Sequence, residues 1–206
     1  NDILVKLCDQ YGSDKGSEQN LNPYPWDSHS YADFYSRHFA SCRNNIKKVF
    51  ECGIGTNNPN IPSNMTVNGI PGASLRVWRD YFPNAQVAGI DIAEDCKFTE
   101  ARISTYICDS TDKHACNKQL STSMFDIIID DGLHKAATQL QTLKNFFGRT
   151  RFGGLYIIED LGGGGDSMNA FIDYKEEVLN ILLLLVVIGL SLVCLWGELS
   201  ANGCNY

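Results

Sequence analysis

VFECGIGT, residues Val49 to Thr56, is the stretch whose reading decides the fold. Two β-favouring apolar residues lead into an acid, Glu51, and the pair Gly53 and Gly55 comes almost at once. This predicts a buried strand running into a tight loop whose missing side chains let backbone N–H groups come close to a ligand. A lone Gly-x-Gly suits many folds, so the weight falls on three further runs downstream. VAGIDI ends in Asp91, FDIIIDDGLH carries Asp130 and Asp131, and GLYIIEDL carries Glu159 and Asp160. Four apolar runs finish in carboxylates, and in an open parallel sheet such ends share the edge where ligands bind.

At 206 residues, 44% hydrophobic and 20% charged, the chain has the composition of one globular unit with a full core. We divide it into an N-terminal cap or substrate-side segment (1–48), a Rossmann-like cofactor-binding core (49–177) and an apolar tail (178–206). A net charge of −7 argues against a nucleic-acid surface, which needs a basic face to neutralise phosphates, and points to small molecules. The eight cysteines are scattered without a C-x-x-C pair, so they read as reduced, with Cys52 and Cys108 buried beside strands. Asn64-Met-Thr is a formal glycosylation sequon that carries little without a signal peptide. The chain begins at Asn1 instead of Met, from which a missing upstream segment is expected.

Residues 3–8 are too few to assign to helix or strand. After a Gly/Ser/Asn/Pro-rich stretch a helix is expected, capped by Ser28 or Ser30, with Tyr31, Phe34, Tyr35 and His38 along one face as core or as a lid. The polar insertion TNNPNIPSNMTVNGIPGA exceeds the roughly 12–15 residues beyond which loops are usually functional. A helix capped by Ser74 then shows Leu75, Trp78, Tyr81 and Phe82 on one face and stops at Pro83. Residues 94–104 read as helical, Thr105 to Ser110 as a short strand, and Lys135 to Phe147 as a helix turning Leu140, Leu143 and Phe147 inward. The fold class is therefore α/β, a Rossmann-like doubly wound and mainly parallel sheet with helices on both faces. The tail departs from it. Val178 to Trp196 carries no charge and is borderline in length for a membrane span; of insertion and completion of the sheet, packing on the sheet is the preferred reading.

Asp91 lies 36 positions beyond Gly55, at a strand end where an acid accepts hydrogen bonds from ribose hydroxyls. Asp131, Glu159 and Asp160 offer hard oxygen ligands that suit Mg²⁺ better than zinc. His134 comes within a helical turn of Asp131, with a pKa suited to a general base.

VFECGIGT, GASLRVWRDYFPNAQVAGIDI, FDIIIDDGLH and GLYIIEDL together resemble the class I S-adenosylmethionine-dependent methyltransferases. Within them they look like the metal-dependent sugar O-methyltransferases of the macrocin and mycinamicin type and the related cephalosporin-hydroxylase-type proteins. YGSDKGS and SHSYADFY resemble the N-terminal segment of that family, and the resemblance spans about residues 9–161. It implies Glu51, Gly53 and Gly55 around the methionine part of S-adenosylmethionine, Asp91 on its ribose, and Asp109 or Ser110 near its adenine, with Asp130 on the same cofactor side. It further implies Asp131, Glu159 and Asp160 as Mg²⁺ ligands and His134 as base. Leu133 stands where the family pattern has Ser, and GGGGDS with the leucine run does not resemble the family's last two strands.

The expected function is Mg²⁺-assisted methylation of a sugar or polyol hydroxyl in secondary-metabolite biosynthesis. The alternatives are an inactive or membrane-tethered cofactor-binding protein and a metal-dependent oxidoreductase or hydroxylase. The expected setting is cytoplasmic, with membrane association through 178–196 as the other outcome, and a homo-oligomer is compatible with this reading.

Overall fold

The computed structural model describes residues 2–16 and 24–161 together with the strands 183–188 and 191–196. An eight-stranded sheet of order β3-β4-β2-β1-β5-β6-β8-β7 organises them. Its parallel centre comprises β1 (Lys48–Cys52), β2 (Gln86–Asp91), β4 (Ile103–Ile107), β5 (Phe125–Asp130) and β6 (Thr150–Ile158). All six residues of β5 are buried, as expected of a strand covered on both faces.

Alternation along these strands sorts the core into two layers. Val49, Val87, Ile127, Ile129 and Ile157 face one cluster, shared with α1 (Ile3–Tyr11), α2 (Tyr31–Phe39) and α3 (Ala73–Tyr81). Phe50, Cys52, Ile128, Tyr156 and Ile158 face the other, shared with α4 (Lys113–Leu120) and α5 (Ala136–Phe146). Crossover helices thus cover both faces, which is the doubly wound arrangement.

Several local expectations are corrected. Residues 3–8 belong to α1, which Asp2 caps by accepting from the Leu4 N–H and Gly12 ends in a left-handed conformation. Ser30 does precede α2, but at φ 61° its side chain makes no capping bond; the buried face is Ala32, Tyr35 and Phe39, while His38 is exposed. Gly72, not Ser74, occupies the cap position of α3. Residues 94–104 are not a helix: a 3₁₀ turn at Glu94–Cys96 leads to β3 (Thr99–Glu100), which pairs antiparallel with β4. The β-branched residues Thr99, Ile103, Thr105 and Ile107 suit strands, and β4 accordingly starts at Ile103, before the expected Thr105. Helix α4, capped by Asp112 through the His114 and Ala115 N–H groups, was not anticipated. Cys8, Cys52, Cys96, Cys108 and Cys116 are buried free thiols, whereas Cys42 is disulfide-bonded, against the reading of all eight as reduced.

The tail forms an antiparallel hairpin of β7 (Leu183–Ile188) and β8 (Ser191–Trp196), with β8 antiparallel to β6. Among the described residues no helix is long and apolar enough to cross a membrane. The glycine run at 162–165 and the charged residues flanking the tail lie outside the described residues.

At the rim of the sheet, Arg76 and Arg79 both bond Glu100, at 2.7 Å and 3.0 Å. The Arg76 hydrogen bond, with help from Arg79, holds the Glu100 carboxyl below its ordinary range. A depressed carboxyl contributes stability that is complete above the unfolded-state pKa and is lost as pH falls through the folded one. Glu100→Gln should therefore flatten the acid limb of a Tm-against-pH profile while moving the neutral-pH Tm little, since exposed pairs contribute modestly. An acid limb identical to wild type would deny Glu100 this role.

Candidate active site

The carboxyl ends of β1, β2, β5 and β6 open onto a cavity of about 560 Å³, within the range of small-molecule sites. The glycine loop forms its floor. Gly53 has φ 76° and Gly55 φ 84°, both in the left-handed region that favours glycine. A Cβ on Gly53 would sit 2.2 Å from the Asp131 carbonyl oxygen and 2.5 Å from the Gly132 Cα. Those are backbone atoms of the neighbouring strand end, so they cannot turn aside. Gly53→Ala should therefore force the β1 and β5 loops apart and lower Tm. A wild-type Tm would show that the close approach is dispensable.

Asp91 accepts from the Ile54 N–H at 3.0 Å and from the Ala93 N–H at 3.2 Å. A carboxylate offers about four lone-pair sites, so these bonds fix Asp91 while leaving capacity toward the cavity it lines. Asp109 and Ser110 line the same cavity, Asp109 capped onto Thr111 and Ser110 bonded to Thr142 at 2.8 Å. Asp95, not singled out from the sequence, ties down the loop after Gly55 by accepting from Thr56 Oγ1 and the Asn57 N–H.

Two predicted cofactor residues do not line the cavity. Glu51 shares the α3-facing side of β1 with Val49, is 0% exposed, and accepts from Ser74 Oγ at 2.8 Å and Trp78 Nε1 at 2.9 Å. Asp130 faces the opposite layer and has one oxygen, Oδ2, without a hydrogen-bond partner among the described residues. Burial pushes both carboxyls up to about 7.

Three of the four residues of the acidic constellation come together, and Glu159, read from the sequence as a metal ligand, stands outside that group. Asp131, His134 and Asp160 each present a ligand atom within 4.8 Å of the others. His134 Nε2 lies 3.3 Å from Asp131 Oδ1 and 3.9 Å from Asp160 Oδ2. Burial disfavours the imidazolium, but the Asp131 hydrogen bond and charge outweigh it and raise the His134 pKa. Glu159 lines the cavity behind this trio, accepting from Lys15 Nζ and Tyr35 Oη.

Lys15 is the principal residue that the sequence did not reveal. It is 3% exposed and reaches Asp131 Oδ2 at 2.6 Å, Glu159, and Glu51 Oε1 at 3.6 Å. Burial alone would neutralise the ammonium; Asp131, Glu159 and Glu51 together outweigh it and keep it charged. Burial likewise opposes the charge on Asp131, and Lys15 with His134 overrides it, holding that carboxyl well below the usual range. Burial pushes Glu159 up against the pull of Lys15. Tyr31 bonds Asp160, so the segment before and within α2 is built into the site.

No family model matches the chain. It is 34% identical over 160 residues to the 8-demethyl-8-alpha-L-rhamnosyl tetracenomycin-C 2'-O-methyltransferase of Streptomyces olivaceus, covering 77% of this chain and 37% of the relative. It is 36% identical over 152 residues to the demethylmacrocin O-methyltransferase of Streptomyces fradiae, covering 69% of this chain and 36% of the relative. Among solved structures it resembles the MycE methyltransferase of the mycinamycin biosynthetic pathway, in complex with Mg, SAH and mycinamycin VI. There the TM-score is 0.75 and the identity 27%, over 98% of this chain and 56% of that one. The chain thus spans little more than a third of the length of these curated relatives. It has the class I S-adenosylmethionine-dependent methyltransferase fold and, in sequence and in structure, resembles the sugar O-methyltransferases of macrolide and tetracenomycin pathways.

Proposed function

We propose that the chain takes part in Mg²⁺-assisted transfer of a methyl group from S-adenosylmethionine to a hydroxyl of a sugar-bearing small molecule. The observation that carries this is the meeting, in one cavity, of a left-handed glycine loop, a fixed strand-end carboxylate at Asp91, and the Asp131, His134, Asp160 trio. The donor set fits the metal: hard carboxylate oxygens from two neighbouring strand ends, Asp131 and Asp160 with Glu159 behind them, leave room for oxygens of water or substrate. The cavity fits the cofactor, because Gly53 and Gly55 open the floor and Asp91 offers paired acceptors to a ribose diol. When bound, these groups supply the methyl sulfonium and the Lewis acid that lowers the hydroxyl pKa.

The protein's own part is positioning and proton transfer. Asp131 orients the His134 ring through Nε2, and the neutral ring receives the hydroxyl proton. Lys15 and Tyr35 hold Glu159, so that the acidic groups stay aimed at one point despite their mutual repulsion. Glu51 supports the site from below through Ser74 and Trp78.

The test is transfer of a radiolabelled methyl group from S-adenosylmethionine to a panel of deoxysugar glycosides, with Mg²⁺ and with excess chelator. Labelled product that depends on the metal is expected. Equal labelling of acceptor in chelated protein would remove the metal from the reading and make Asp131, Glu159 and Asp160 structural acids.

A further inference from the structure

One wall of the cavity carries polar and aromatic groups that neither the cofactor nor the metal reading uses. Asp14 Oδ2 accepts from Trp26 Nε1 at 2.8 Å and lies 3.4 Å from His29 Nε2. Trp26 stacks on Tyr24 with ring centroids 4.9 Å apart, and His29 stacks on Tyr31 at 5.2 Å. One carboxylate therefore fixes an indole and an imidazole, each backed by a tyrosine ring. Asp14, Trp26, His29 and Tyr31 all line the cavity. The wall meets the acidic trio at Asp160: Tyr31 bonds that residue, and His29 Nε2 stands 3.9 Å from its Oδ2, the same separation as His134 Nε2 on that oxygen.

We infer that Trp26, His29 and Asp14 form the subsite that holds the sugar ring of the methyl acceptor. A pyranose presents a flat face of C–H groups and a rim of hydroxyls, each both donor and acceptor. The indole supplies a rigid apolar surface for the face. The Asp14 and His29 pair supplies an anionic acceptor and a ring nitrogen for hydroxyls on the rim. A sugar lying on this wall has its neighbouring hydroxyls delivered to Asp160 and His134, because the wall and the trio share Asp160. Burial also suits the role: the His29 side chain is 32% exposed and that of Asp14 19%, open to a ligand yet held in place by their own contacts. The assignment rests on the methyl-transfer reading for which sugar reacts, but the binding it asserts is measured without turnover.

Methyl α-L-rhamnopyranoside is titrated into the full chain with Mg²⁺ and S-adenosylhomocysteine present and followed by NMR. S-Adenosylhomocysteine affinity is measured separately by calorimetry. Trp26→Ala and His29→Ala should each weaken the glycoside by about tenfold or more, as expected when a polar or stacking partner is removed from a built site. Their cofactor affinity should stay within about twofold of wild type, the outcome expected when the acceptor wall and the cofactor contacts do not share partners. His29→Gln, which keeps a hydrogen-bonding side chain, should recover part of the loss. His29 is exposed enough that its variants keep the fold, so a result from them stands even if Trp26→Ala unfolds. Unchanged glycoside affinity in the His29 variants, or a matching loss of cofactor affinity, overturns the subsite. A wild-type chain that binds cofactor but no glycoside also overturns it and leaves the methyl-donor reading standing. Glycoside binding that depends on His29 without cofactor binding would sustain the subsite and remove the methyl-transfer reading.

Discussion

Lys15→Met is expected to destabilise the folded chain by about 3–5 kcal/mol, the usual cost of leaving buried charge unpaired. The side chain is 3% exposed and is the cation that reaches Asp131, Glu159 and Glu51 together. Methionine fills most of the space but brings no charge, so the carboxylates must protonate, repel or admit water. The loss should be larger at neutral pH than in mild acid, because acid neutralises the same carboxylates that Lys15 compensates. Chemical denaturation of wild type and variant at both pH values measures this. A variant as stable as wild type at neutral pH would mean that the cluster is not held by Lys15.

His134→Ala is expected to lower the methyl-transfer rate by about 10²–10⁴-fold, the range for loss of a positioned general base. S-Adenosylhomocysteine affinity should remain near wild type, because the ring's ion-pair partners are Asp131 and Asp160. The pH profile gives a second readout. A base works in its neutral form, so the wild-type rate should rise with pH through the His134 pKa. The variant should lose that rise. A wild-type rate and profile in His134→Ala would pass the proton to another group or to water.

The strands and their acidic ends were legible because both signals are local. An apolar run of five or six residues ending in Asp or Glu needs no partner to be recognised, and β1, β2, β5 and β6 appear where those runs lie. Asp91, Asp131, His134 and Asp160 converge because parallel strands bring their ends to one edge whatever the loops do. Side-chain direction was less legible. Glu51 and Asp130 sit at strand ends too, yet the alternation that buries Val49 on one face and Ile128 on the other carries these two carboxyls into the α3 and α5 layers. Lys15 was invisible for another reason: its partners Asp131 and Glu159 are 116 and 144 residues away, and a single lysine in a polar loop has no periodicity. Ser74 was misread as a cap because serine at a helix start usually is one; Gly72 supplies the turn, and the Ser74 hydroxyl is committed to Glu51. The tail packs on the sheet as preferred, but helix or strand stayed open because a leucine-rich run suits both and its pairing with β6 is a long-range contact.

In the proposed function the cavity beside the glycine loop takes S-adenosylmethionine with Asp91 on its ribose. Calorimetric titration of S-adenosylhomocysteine into the wild-type chain and into Asp91→Ala tests it most directly. Saturable binding to the wild type is expected, weakened in the variant by about 10- to 100-fold, since a bidentate hydrogen-bonded contact contributes a few kcal/mol. No heat of binding in folded wild-type protein, or equal affinity in the two proteins, would contradict it.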